Sequence, residues 1–249
     1  MRLVTSLVLL VVLAAPASAQ DGPRASALAR EGLQGLQRYA EQLAKTGERP
    51  DYSKRPASEH YARLFDLRTL MALPPSQGRD ARWLAEWLQS ATQGFQAMVF
   101  FGTKPGPEMN AEMVGRNLAE NESEVASGTN FLIRLQARVA TATQLFYDAL
   151  TPAQRAEPIR QSGLQRVRRG YVNSVSGAVD MLGGGLKPAN ARVFATALRE
   201  TAGVWVPFTT EADRSELLSG LAQARADSKD PEADAGMDAV SSAIANYKG

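Results

Sequence analysis

The sequence predicts an all-α protein that folds as an irregular multi-helix bundle. Apolar residues recur at spacings of three and four, which is the helical period, whereas the alternating β-branched runs typical of strands are absent. Glycine and proline separate these periodic stretches. We expect about eight to nine helices from this pattern. No landmark recurs at a period of about 33 to 47 residues, which disfavours a repeat solenoid.

Three helices are expected in the N-terminal half of the chain. The first covers residues 23–46, and the second begins at Ser58, which can cap it, and ends before Pro74 and Pro75. The third covers residues 80–101 and is rich in aromatic side chains, which makes it the expected centre of the core or the wall of an apolar pocket.

The stretch 107–150 is long for a single helix, and the pair Ser127 and Gly128 is the expected break within it. Capping residues, prolines and glycines mark where the later helices begin. These expected starting points are Thr151, Gly163, Pro188, Thr210 and Asp230.

The first nineteen residues predict a secretory signal peptide. Arg2 precedes an apolar run over residues 7–15, and Pro16 is followed by small residues that fit a cleavage site after Ala19. An uncleaved membrane anchor is the alternative, but the run is far shorter than the roughly 20 residues that span a bilayer. We therefore expect a cleaved segment, 1–19, and a single all-helical domain, 20–249, with a soft boundary near 102–107.

The composition limits which cellular compartment and which partners we expect for this protein. The chain has no cysteine, so disulfides, thiol chemistry and lipid attachment at a signal cleavage site are excluded. This favours a periplasmic or secreted bacterial protein that holds together through its apolar core. The 28 Lys+Arg and 26 Asp+Glu nearly balance, so no long-range field attracts nucleic acid.

The sequence contains few of the residues and motifs that are typical of catalytic sites. His60 is the single histidine, and the sequence contains no nucleophile elbow, zinc-protease motif or phosphate loop. We expect neither a metal site nor a cofactor. Two glutamate pairs at helical spacing could act as acid and base on a glycan, or could simply form a solvated helix face. These pairs are Glu108 with Glu112, and Glu120 with Glu124.

Two groups of side chains are candidates for binding. Arg166, Arg168 and Arg169 belong to the densest group of arginines in the chain, and guanidinium groups bind carboxylates and phosphates well. The alternative is that these arginines pair with Glu157 or with neighbouring helices. Trp83 and Trp87 could line an apolar pocket, although a filled core is the favoured explanation of this aromatic-rich helix.

Residues 150–154, Leu-Thr-Pro-Ala-Gln, resemble the L-T-x-x-Q motif of the Spy/CpxP-type periplasmic helical proteins. That resemblance implies a cradle of helices and a chaperone or sensor activity in envelope stress. The same five residues also make a good helix start, because Thr151 can cap the helix and Pro152 suits its first turn.

These observations favour a non-enzymatic exported protein that is chaperone-like or binds an envelope protein, a peptide or a cell-wall component. It is expected to have no transmembrane segment after signal cleavage and no nucleic-acid partner. A carboxylate-dependent glycan hydrolase or lyase is the first alternative. The second is a carrier of an apolar small ligand built around Trp83, Trp87 and Phe95.

Overall fold

A computed structural model describes residues 18–103 and 109–248. Over these residues the chain is 82% helical and contains no strand, and nine of its helices have seven or more residues, which confirms the predicted all-α bundle. The α-helices in chain order are α1 (Ser18–Thr46), α2 (Ala57–Leu64), α3 (Leu67–Ala72), α4 (Ala81–Val99), α5 (Ala111–Glu120), α6 (Glu122–Asp148), α7 (Pro152–Arg155), α8 (Pro158–Gly183), α9 (Pro188–Trp205), α10 (Glu211–Asp227) and α11 (Pro231–Ala245).

Two predicted features fall wholly or partly outside the described residues. Of the predicted signal peptide, only the last two residues are described, and they are the first two of α1. The expected cleavage and the export of the chain stay predictions. Most of the soft boundary near 102–107 also lies outside, because residues 104–108 are not described.

Local capping signals place several helix starts where the sequence predicts them. The Thr151 hydroxyl accepts from the Gln154 N–H and the Gln154 side chain bonds back to Thr151, so residues 150–154 form a capping box. Thr210 and Asp213 form another at α10. The carboxylate of Asp230 accepts two backbone N–H bonds at the start of α11.

The prediction of one helix from Ser58 to the proline pair is wrong. α2 ends at Leu64, and Asp66 caps the separate helix α3 by accepting from the backbone N–H and the hydroxyl of Thr69. The apolar spacing continues through this interruption, so periodicity alone does not reveal it. The turn directs α3 and the following prolines towards the start of α1.

The expected break at Ser127 and Gly128 is also wrong. The chain breaks at Asn121 instead, and α6 continues through Gly128. A Cβ atom at Gly128 would lie 3.1 Å from the Phe95 ring, so this glycine permits close packing of α4 on α6. Asn117, one turn before the break, donates to the Val99 carbonyl and so ties α5 to the end of α4.

Helix α6 separates two groups of buried apolar side chains. One face, with Phe131, Leu135 and Val139, packs with α1–α4. Another face, with Ile133, Ala137 and Ala140, packs with α8–α11. Since both faces are buried, α6 is the central helix of the bundle. None of the helices in the described ranges has a stretch long and apolar enough to span a bilayer.

Candidate binding groove

Two adjoining cavities share Leu73 and Pro74 and together form what we call the groove. The first has a volume of about 780 Å³ and lies between α1, α2 and α3. The second has a volume of about 540 Å³ and lies between the first turns of α1 and α4 and the 3-10 turn Gly78–Asp80. Both volumes fall within the usual range for ligand sites, about 300–1,000 Å³.

Two glycines of α1 allow the close crossing of α1 and α2, which line the first cavity together with α3. A Cβ atom at Gly32 would lie 2.7 Å from the His60 carbonyl, and one at Gly35 would overlap the His60 imidazole, so the two glycines let α1 and α2 cross closely. The apolar part of this cavity includes Ala25, Leu28 and Leu73. Leu28 keeps 38% of its surface exposed.

Trp83 lines the second cavity. Its indole N–H donates to Asp80 at 3.2 Å, and a Cβ atom at Gly22 would lie 2.5 Å from its six-membered ring. The carboxylate therefore orients the indole, and the glycine lets the start of α1 lie against it. The ring is partly exposed, which makes it the tryptophan that a bound molecule can reach.

Arg138 of α6 completes this cavity. Its guanidinium donates to the carbonyls of Pro74 at 2.7 Å and Leu73 at 2.8 Å. Burial lowers the pKa of Arg138, and the charge of Asp80 opposes that shift only in part. A guanidinium has five N–H donors, so two bonds fix its position and three donors have no partner among the described residues.

Four arginines line the groove without a carboxylate partner. None of the ion pairs formed by the described residues includes any of them. They are Arg24 and Arg63 in the first cavity and Arg79 and Arg138 in the second. The first three are exposed and Arg138 is half-buried.

Three described carboxylates line the groove, one fewer than the arginines, and two of the three already accept hydrogen bonds within the protein. Asp66 caps α3, and Asp80 accepts from the Gln77 N–H at 2.8 Å as well as from Trp83. Asp21 is exposed. The groove therefore combines an apolar floor with four arginines against three aspartates, none of which forms an ion pair with these arginines, and this small excess of positive charge suits an anionic, partly apolar ligand.

The structure separates the two tryptophans proposed for binding. Trp83 lies in the groove, whereas Trp87 is fully buried. The Trp87 indole N–H donates to the Leu64 carbonyl at 3.1 Å, and its ring packs 5.3 Å from that of Phe131. Trp87 is thus part of the core, as one of the two readings of the sequence proposed.

The arginines proposed for binding do not converge. Arg168 reaches α6, where it donates to Gln144 at 2.6 Å, and it also lies over the Phe208 ring. Arg169 reaches α10 and donates twice to Asp213, at 2.6 and 2.8 Å. Arg166 is exposed and bonds to a carbonyl of its own helix. Adjacent residues on a helix point about 100° apart, which explains the divergence.

Asp213 shows how firmly one of these arginines is held. Burial by itself raises the pKa of Asp213, but the hydrogen bonds from Arg169 and Thr210 outweigh burial and keep the pKa below its ordinary value. The carboxylate thus receives donors from Arg169 of α8 and from Thr210, its partner in the capping box of α10. A ligand could bind Arg169 only by competing with this pair.

The structure describes three of the four glutamates proposed as acid and base, and two of these three form ion pairs with arginines. Glu112 pairs with Arg116, and Glu120 pairs with Arg49. Glu124 belongs to α6 and Glu120 to α5, so the helix break separates them. Glu108 lies outside the described residues. Within the described ranges, no three His, Asp or Glu side chains group closely enough to hold a metal ion.

Sequence reasoning missed the four groove arginines. They are contributed by α1, α2, the 3-10 turn and α6, and no spacing along the chain relates them. The one usable signal was the pair Pro74 and Pro75, which ends a helix beside the aromatic-rich α4 and exposes the carbonyls that Arg138 binds.

The chain matches no protein-family model, no curated protein and no solved structure. The relationship of this chain to the Spy/CpxP type, suggested by residues 150–154, therefore stays a prediction.

Proposed function

We propose that this is an exported, non-enzymatic binding protein, periplasmic or secreted, whose groove takes an acidic peptide segment of an envelope protein. The observation that carries the proposal is the convergence of four unpaired arginines on an apolar floor. An extended peptide fits because it presents apolar side chains and carboxylates together along its length. Export is part of the proposal and is supported by the pattern of the first nineteen residues.

The other candidate functions have less support. A glycan hydrolase requires two facing carboxylates, and Glu112 and Glu120 are each engaged by an arginine. A carrier of a small apolar ligand built around Trp83, Trp87 and Phe95 requires an enclosed cavity lined by these rings, whereas Trp87 packs against Phe131 in the core and Trp83 lines an open groove. The open and positively charged groove is better suited to a peptide than to a neutral apolar molecule.

Tryptophan fluorescence offers a direct test. Of the three tryptophans, Trp87 and Trp205 are fully buried, so a ligand in the groove changes the emission of Trp83. We expect a short peptide of leucine, serine and glutamate to shift the Trp83 emission to the blue and to protect it from acrylamide quenching. In Trp83→Phe the shift disappears, while calorimetry still detects binding.

A matched pair of leucines supplies the control. Leu28 and Leu145 are exposed by 38% and 45%, but only Leu28 lines the groove. Leu28→Asp is expected to weaken peptide binding about tenfold, because it places a carboxylate on the apolar floor that the peptide contacts. Leu145→Asp leaves binding unchanged. Equal affinities for the two variants would remove the groove as the binding site.

A further inference from the structure

The second cavity has features that the first lacks. Arg138 is half-buried, and two carbonyl groups fix its guanidinium in place. Arg79 lines the same cavity and forms no ion pair with the described carboxylates. Among the described residues, Asp80 is the one acidic side chain that lines it, and both of its oxygens accept hydrogen bonds within the protein.

From this arrangement we infer that the second cavity is a subsite for one carboxylate group of the bound peptide, held by Arg79 and Arg138 beside Trp83. The inference rests on the proposed function, since it names the group that the groove recognises. The carboxylate could belong to the end of the peptide chain or to an acidic side chain. The two sources share the chemistry that a guanidinium recognises.

The main support for the carboxylate subsite is the geometry of Arg138. An arginine that is held in place loses little conformational entropy when it binds a ligand, whereas a free surface arginine must first be ordered. Its remaining N–H donors are available for the planar, two-point binding that carboxylates favour. Burial also lowers the pKa of Arg138, and a nearby anion would relieve the cost of keeping the guanidinium charged.

The surroundings favour an oriented ligand. Trp83 presents an apolar ring beside the charged groups, and the indole is fixed through Asp80. The residue that carries or precedes the carboxylate can therefore pack on the ring while its charge pairs with the arginines. Leu73 and Pro74, shared by both cavities, connect this end of the groove to its larger apolar part.

Four versions of one short peptide of leucine and serine test the inference. They combine either glutamate or glutamine at one internal position with either a free or an amidated carboxyl terminus. Binding is followed by Trp83 emission and by calorimetry. The version without any carboxylate is expected to bind about tenfold more weakly than the version with both, because it lacks the group that the arginines pair with.

The two intermediate versions identify the source of the carboxylate. If the glutamine peptide with a free terminus keeps the affinity, the subsite recognises the chain end. If the amidated glutamate peptide keeps it, the subsite recognises an acidic side chain. Equal binding of all four overturns the subsite together with the preference of the groove for acidic peptides, and leaves the groove only as a binding site for apolar side chains. Absence of binding by all four overturns the proposed function and the subsite together.

Variants separate the subsite from general charge effects. Arg79→Gln is expected to reduce the advantage of the carboxylate peptides to about threefold. Arg82→Gln is the matched control, because Arg82 lies three residues further along, is 91% exposed and pairs with Glu86 outside the groove. Arg138→Gln tests the half-buried guanidinium directly. This variant also loses the bonds to Leu73 and Pro74, and if it does not fold, Arg79→Gln still tests the inference. Equal carboxylate selectivity in Arg79→Gln and in the unaltered protein would overturn it.

Discussion

Two groups of arginines in this protein differ in how their separation along the chain relates to their positions in the fold. Arg166, Arg168 and Arg169 are neighbours along the chain but contact solvent, α6 and α10 respectively. Arg63 and Arg138 are far apart along the chain, yet both line the groove. A dense run of one charge on a helix is spread around its axis, whereas a binding site requires convergence, which only the tertiary fold supplies.

The two groups also differ in how their charge is compensated. Arg169 meets a buried carboxylate that it shares with the capping box of α10, so its charge already stabilises the fold. The groove arginines form no ion pair with the described carboxylates, and Arg138 donates to carbonyl groups that carry no charge. The first group is therefore expected to control stability and the second to control binding.

The largest effect is expected at Asp213. Replacing it with alanine removes the Asp213 half of the capping box of α10 and both bonds from Arg169, and we expect the free energy of unfolding to fall by about 2 kcal/mol. Urea denaturation measures this loss. Arg166→Ala is the control, and its change should stay within about 0.5 kcal/mol. A similarly small change for Asp213→Ala would contradict the structural role of this arginine group.

Charge reversal in the groove should have the next largest effect, on affinity instead of stability. Arg63→Glu places a negative charge beside an acidic peptide, and we expect its affinity to fall about tenfold, or 1.4 kcal/mol. Arg166→Glu makes the same reversal in the other group and should leave affinity unchanged. Calorimetry at low and high salt gives both values, and the difference between the variants should shrink as salt screens the charges. Equal losses of affinity would mean that overall charge attracts the peptide.

A smaller effect is expected from acid. Because the folded-state pKa of Asp213 is lowered, its stabilisation is complete above the unfolded-state value of about 3.9 and is lost as pH falls through the lower folded-state value. The free energy of unfolding should therefore fall more steeply below about pH 4 in the unaltered protein than in Asp213→Asn. Parallel curves for the two proteins would show that Asp213 is not the titrating group.

The sequence was sufficient to predict features that depend on residues close to each other along the chain. The helical class follows from apolar spacing, and the caps at Thr151, Thr210 and Asp230 follow from side chains that bond within one turn. The break at Asn121 could not be predicted this way. The preceding residues are tied to other helices, since Asn117 donates to the Val99 carbonyl, and the glycine that seemed a break is a contact point for Phe95.

The candidate site was predictable only in part, for the same reason. Trp83 and Trp87 are indistinguishable by spacing, because both belong to the apolar pattern of α4. What separates them is the position of other elements, since Leu64 and Phe131 cover Trp87 while the start of α1 leaves Trp83 partly exposed. The groove arginines belong to four separate elements, and their convergence depends on the packing of α1, α3 and α6.

The smallest effect is expected at Arg160, which lies on the same helix, α8, as Arg166, Arg168 and Arg169. Arg160 pairs with Glu157 at 2.9 Å, three residues away, and both side chains are substantially exposed. Exposed pairs of this kind contribute roughly 0.2–1 kcal/mol, and a cation in the first turn of α8 opposes the helix dipole. The two effects act against each other, so Arg160→Ala should change the free energy of unfolding by less than about 0.5 kcal/mol.

A double-mutant cycle with Glu157→Ala isolates the pair from the dipole, because the effect of each single replacement on the helix start cancels in the cycle. We expect a coupling of about 0.3 kcal/mol that weakens in high salt. Arg169 and Asp213 should couple several times more strongly in the same cycle, because the Asp213 side chain is only 9% exposed and the bond joins two helices. Comparable couplings for the two pairs would mean that burial of the carboxylate does not set the strength of these ion pairs.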